Sequence, residues 1–123
     1  MTNVTAEQMA VYRTTARQRQ ARQQQALAQR RQLAWQVAHQ AAAVLKEQFG
    51  ARQVWVFGSL LHETLFHPRS DIDLAVHGLD DRSYYRAVAH LLTLSPKIEV
   101  DLVRMEDAST SLRAYIEQEG MMI

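Results

Sequence analysis

Polar and apolar positions divide the chain into a front part with almost nothing to bury and a remainder that switches between helical and strand periods. Residues 16–32, ARQRQARQQQALAQRRQ, are Gln, Arg and Ala around a single Leu27. All three residue types favour helix, and neither Gly nor Pro interrupts before Gly50. The segment lacks the apolar residues to bury a face of its own, so the pattern predicts an extended, solvent-exposed helix that frays or orders against a partner. From Leu33 onward the pattern changes. Leu33, Val37, Ala41 and Val44 form one stripe at helical spacing, and Trp35, Ala38, Ala42, Leu45 and Phe49 form a second beside it. These predict a core-facing amphipathic helix, with Gly50 at the position after its end where a positive φ is often needed.

The rest reads as alternating strands and helices. RQVWVF (52–57), DIDLAV (71–76) and IEVDLV (98–103) are β-branched or aromatic runs with strand character. DRSYYRAVAHLL (81–92) has helical spacing, capped by Asp80 or Asp81. TSLRAYIEQE (110–119) is a final helix, capped by Ser109 or Thr110 and stopped by Gly120, and Met121-Met122-Ile123 is an apolar tail pinned to the sheet or to a partner. The expected fold class is therefore α/β (α+β): a small mixed sheet flanked by helices, with a long N-terminal helix. The expected organisation is a Gln/Arg-rich helical extension over 1–32 and one domain over 33–123.

Composition narrows the chemistry. With 123 residues the chain has room for one domain, and without cysteine it has no disulfide, thiol nucleophile or Cys-based zinc site. The opening MTNVTAEQMA carries an early Glu and no apolar core, unlike a signal peptide, and no run is long enough to span a bilayer. The expectation is a cytoplasmic protein. Its net charge of +1 conceals an asymmetry: residues 1–50 sum to +5 and residues 51–123 to −4. An Arg-rich helix could grip phosphates, but no aromatic interleaves these arginines, so a helix–helix partner contact is the expectation and direct nucleic-acid binding is not.

The informative segment is VWVFGSLLHETLFHPRSDIDLAV, residues 54–76. Strand side chains alternate, so Asp71 and Asp73 share one face while Ile72, Leu74 and Val76 take the other. Two carboxylates one pleat apart repel each other, and a divalent cation with hard oxygen ligands, such as Mg2+, removes that cost. Glu99-Val100-Asp101 repeats the alternation on the third strand. If the second and third strands are neighbours, Asp101 joins Asp71 and Asp73 in one cluster, enough carboxylates for two metal ions. Ahead of them, Gly58 lets backbone approach an anion, and Ser59 offers hydroxyl and N–H donors to a phosphate at the start of a short helix.

The pattern FGS…SDIDLAV…VDLV resembles the minimal nucleotidyltransferases (MNT) of the DNA polymerase β superfamily over residues 33–123. That resemblance implies a polymerase-β-like nucleotidyltransferase fold. It implies Asp71, Asp73 and Asp101 as catalytic metal ligands, and Gly58 and Ser59 as the binding site for the β- and γ-phosphates of ATP. It implies Mg2+, as two ions, and attack of a hydroxyl on the α-phosphorus with pyrophosphate leaving. MNT proteins are commonly paired with HEPN ribonuclease toxins. The implied role is an antitoxin that binds its HEPN toxin in a hetero-oligomeric complex and transfers AMP to a toxin tyrosine. Many relatives read Ala-Arg-Gly shortly after the Gly-Ser, where this chain has Leu61-His62-Glu63. That departure keeps in view an antitoxin that acts by binding alone; transfer to a small molecule is a separate alternative.

Overall fold

One helix, α1 (Ala6–Phe49), carries the whole front of the chain. The computed structural model describes residues 4–123, and the first three residues of the expected extension lie outside them. Thr5 opens α1 with a reciprocal cap: its hydroxyl accepts from the Gln8 N–H while the Gln8 side chain accepts from the Thr5 N–H. Gly50 closes it in the left-handed conformation, φ 77°. Every described residue from Val4 to Ala26 is exposed. This portion forms a helical arm of about 30 Å, at 1.5 Å per residue, whose last turns, at Gln20, Gln23 and Gln24, border a crevice with Pro68.

The helix docks earlier than its apolar pattern predicts. The stripe residues Val37, Ala38, Ala41, Ala42 and Leu45 are buried, as is Ala34, and Leu33, Trp35, Val44 and Phe49 pack around them. But Leu27 already touches the core, and Arg30 and Arg31 are half-buried. Arginines reach the domain before the apolar stripe begins because their long stems carry donors to main-chain carbonyls.

Four strands form one mixed sheet: β1 (Gln53–Phe57), β2 (Ile72–His77), β3 (Val100–Arg104) and β4 (Met121–Met122), in the order β3-β2-β1-β4. β1 runs antiparallel to β2 and to β4, while β2 and β3 are parallel and joined through α2 (Asp81–Leu91). The closing Met121-Met122 pair is thus pinned to the sheet as its edge strand. Asp80 caps α2 by accepting from the Ser83 N–H, and Ser109 caps α3 (Thr110–Glu119) by accepting from the Leu112 N–H.

Strand alternation sorts the core into two unequal layers. Val54 and Val56 of β1, Ile72, Leu74 and Val76 of β2, and Val100 and Leu102 of β3 pack with α1 and α2 in the main core. The opposite face holds Trp55, Ala75 and Met105, covered by Ile116 of α3, with Phe57, Val103 and Leu112 at the margin. α3 covers only part of that face, and the remainder carries the carboxylates.

Candidate active site

The register sets the site. Phe57 pairs with Asp73 across β1 and β2, and Asp73 pairs with Asp101 across β2 and β3. Phe57, Asp73 and Asp101 therefore form one row across three strands, on neighbouring backbones about 5 Å apart. Asp71, two residues before Asp73, lies one step further along. Burial along the row is graded: Asp71 and Asp73 are partly buried and Asp101 is exposed. Their neighbours Ile72, Val100 and Leu102 are all buried in the main core, which fixes the strands and so fixes which face the carboxylates take.

The three groups share a field. The Asp73 carboxyl is held above the usual carboxylate value, first by burial, then by the charge of Asp101, then by that of Asp71. No ion pair answers it: among the described residues, the ion pairs are those of Arg104 with Asp81 and Asp107, at the other end of β3. A bound cation would relieve like charges gathered in this way without a counter-charge.

Gly58 closes the fourth side. β1 ends at Phe57 and the chain enters a 3-10 turn, Gly58–Leu61, with Gly58 at φ 78°. A Cβ at this position would collide with Oδ2 of Asp73, so only glycine lets the turn come down onto the carboxylate. Ser59 follows, half-buried, and its hydroxyl makes no hydrogen bond among the described residues. No side chain caps the start of this turn. Leu60 is fully buried and anchors the turn in the core.

The loop from the turn to β2 is pinned at its far end by Ser70, a buried polar residue. Its hydroxyl accepts from the His67 N–H, and its own N–H donates to the His67 carbonyl. Ser70 sets where Asp71 starts. No local pattern signals this beyond a small polar residue before an Asp. His62 and His67 stay exposed, and Glu63 borders a crevice with Arg31, Gln32 and Trp35 beside α1. Tyr84 packs inward, its hydroxyl donating to the Leu102 carbonyl, while Tyr85 faces solvent.

Sequence reasoning missed Arg30 and Arg31. The Arg30 guanidinium donates to the carbonyls of Ser70 (3.0 Å) and Lys97 (2.9 Å), and that of Arg31 to the Leu60 carbonyl (2.9 Å). Both sat inside a Gln/Arg run that reads as a solvated face, and only the packed fold reveals that they reach the loops around the carboxylates.

The residues present fit divalent metal chemistry. Their donors are hard oxygens, their mutual repulsion is what a cation relieves, and Gly58, with no side chain, brings backbone close to the Asp73 carboxylate. Among the described residues, no three His, Asp or Glu side chains already converge as a cage. Mg2+ is typically held by one or two carboxylates plus substrate phosphates, so a preformed all-protein cage is not required.

Comparison with known proteins gives the family and the fold. A family model described as polymerase beta, nucleotidyltransferase, matches residues 39–123. No curated protein matches the sequence. Among solved structures, a toxin–antitoxin with AMP-PNP is 27% identical, covering 68% of this chain and 69% of its own, with a TM-score of 0.55. A tri-AMPylated HEPN toxin in complex with its MNT antitoxin, from Shewanella oneidensis, is 25% identical over 75% of this chain and 70% of its own, TM-score 0.53. An MntA-HepT toxin–antitoxin structure, at 23% identity over 72% and 69% with a TM-score of 0.53, shares the fold.

Proposed function

The chain belongs to the polymerase beta nucleotidyltransferase family, and from that premise we propose that it is an MNT-type antitoxin that transfers AMP from ATP to a tyrosine of a HEPN ribonuclease toxin. The observation that carries the reading is the row of carboxylates with glycine-bearing backbone folded onto it: Asp73 beside Asp101, Asp71 one step away, and Gly58 against the Asp73 carboxylate. The solved relatives that hold AMP-PNP or an AMPylated HEPN toxin support the choice of nucleotide and of target. The small domain also suits a protein substrate, which brings its own surface.

Asp71, Asp73 and Asp101 would hold the metal ions, which when bound supply charge neutralisation at the triphosphate and activation of the attacking hydroxyl. Gly58 and Ser59 would hold the β- and γ-phosphates through backbone N–H groups and the free Ser59 hydroxyl. The tyrosine oxygen then forms a bond to the α-phosphorus, and the bond from that phosphorus to the pyrophosphate oxygen breaks. Asp101, exposed at the open end of the row, would take the phenol proton. Asp73, already proton-avid in the isolated protein, is the group whose charge most needs the cation. The exposed arm of α1 is the proposed docking element for the toxin, in a hetero-oligomeric complex and a cytoplasmic setting.

The test is neutralisation of the cognate HEPN ribonuclease by the wild type and by an Asp71→Asn/Asp73→Asn variant. The catalytic reading predicts that the variant binds the toxin and leaves its ribonuclease active. Full neutralisation by the variant would replace it with an antitoxin that works by contact alone.

A further inference from the structure

Three main-chain carbonyls near the carboxylates are held by the same two side chains, and those side chains come from the far side of the sheet. Leu60 directly follows Ser59, Ser70 directly precedes Asp71, and Lys97 lies just ahead of the strand that carries Asp101. Arg31 holds the first carbonyl and Arg30 spans the other two. Together they tie together the phosphate turn, the start of β2 and the entry to β3, the three segments that must keep their spacing for Gly58, Asp71, Asp73 and Asp101 to act on one ligand.

We propose that Arg30 and Arg31 are positioning residues that set the spacing of the phosphate turn and the carboxylate strands. What they position rests on the nucleotidyltransferase reading; that they position these loops does not. Two further observations favour this role over simple attachment of the helix. Neither guanidinium has a carboxylate partner among the described residues, and the buried Nε of each is left without a hydrogen bond. A pair of cations kept half-buried with donors unspent is a poor anchor, since apolar residues would attach the helix without that cost. In addition, their bonds converge on the loops of the candidate site, with none of them made to the core of the helix itself.

The two arginines do geometrically different work. Arg30 uses both terminal nitrogens of a rigid planar fork to bridge two carbonyls on parallel segments, which a single ammonium on a flexible stem cannot reproduce. Arg31 makes one bond, which a lysine can replace.

The experiment is amide hydrogen exchange on the full chain, together with MgATP affinity. It compares the wild type with Arg30→Gln/Arg31→Gln, Arg30→Lys and Arg31→Lys, with Arg82→Gln/Arg86→Gln on exposed positions of α2 as the matched charge control. In the double glutamine variant, exchange at 58–62, 70–73 and 97–101 should rise about tenfold while 37–45 in the core of α1 is unchanged. MgATP affinity should fall by about tenfold in the same variant, in line with the loss of supporting contacts around a metal site. Arg31→Lys should retain wild-type behaviour, Arg30→Lys should loosen 70–73 and 97–101, and the control should do neither. Unchanged loop exchange in the double variant would overturn the proposal, as would equal acceleration at 37–45 or the same effect in the control. Should the double variant fail to fold, the contrast between the two lysine variants decides, and equal behaviour of the two contradicts it. A wild type that does not bind MgATP would remove the nucleotidyltransferase reading and leave the exchange comparison to judge the positioning role alone.

Discussion

At Gly58 the backbone is left-handed, and the atom that a side chain would add there falls on the Asp73 carboxylate. Gly58→Ala therefore meets two penalties at once, a conformation that L-residues rarely adopt and a clash with a charged group. We expect a loss of about 1–3 kcal/mol in urea unfolding, together with loss of nucleotide transfer. Asp73 gives the opposite sign. Its folded-state pKa is raised, so the native state binds the proton more tightly than the unfolded chain. Stability then falls as pH rises from the ordinary carboxylate value through the raised one, and stays lower above it. Asp73→Asn should accordingly raise Tm by a few degrees at neutral pH without divalent metal and flatten the pH dependence over that window. The same change should cut AMP transfer by at least about 100-fold, since even supporting contacts of metal sites are worth 10–100-fold. A variant that is more stable and inactive is the signature of a group kept for chemistry. These residues were legible in the sequence because period-2 alternation alone puts Asp71 and Asp73 on one face and sends Ile72, Leu74 and Val76 to the other. Ser70, Arg30 and Arg31 were not legible, because their roles are hydrogen bonds across the fold that no local spacing encodes.

Among the elements, α3 decides how much of the carboxylate face stays open. It places Ile116 over Trp55, Ala75 and Met105 and ends at Gly120, from which β4 pairs with β1. A Cβ on Gly120 would run into the Ile116 and Val56 carbonyls, so helix and edge strand are closely coupled. Ser109 holds the start of α3 through the Leu112 N–H, 3.1 Å. Ser109→Ala should cost about 1 kcal/mol in chemical denaturation with little change in nucleotide affinity, because the cap lies away from the carboxylate row. β1, β2, β3, α2 and α3 agree with the pattern of the chain to within two residues at each end, whereas α1 begins at Ala6, ten residues ahead of the Gln/Arg run from which the pattern predicts it. Among the other elements, the largest shifts are at β3, whose ladder begins at Val100, and at the last residues, where two methionines form a strand too short to show alternation. Such short edges are settled by the partner strand, here β1, and not by their own sequence.

For the molecule as a whole, the charge asymmetry and the exposure pattern coincide. The arm of α1 from Val4 to Ala26 is exposed throughout, and Val11 and Tyr12 near its tip are 66% and 77% exposed. No helix among the described residues is long and apolar enough to cross a membrane. Deleting residues 1–25 should leave Tm within a few degrees and MgATP affinity unchanged, because docking begins at Leu27. It should weaken capture of the HEPN toxin, measured by size-exclusion chromatography of the mixture. The helix that carries the arm also carries Arg30 and Arg31, so one element links the proposed docking surface to the loops of the site. The most direct measurement is the intact mass of a cognate HEPN protein after incubation with this protein, ATP and Mg2+, with Asp71→Asn/Asp73→Asn in parallel. The account predicts a gain of one or more AMP masses on the toxin, absent with the variant. A stable complex with no mass gain would contradict it and leave an antitoxin that works by contact.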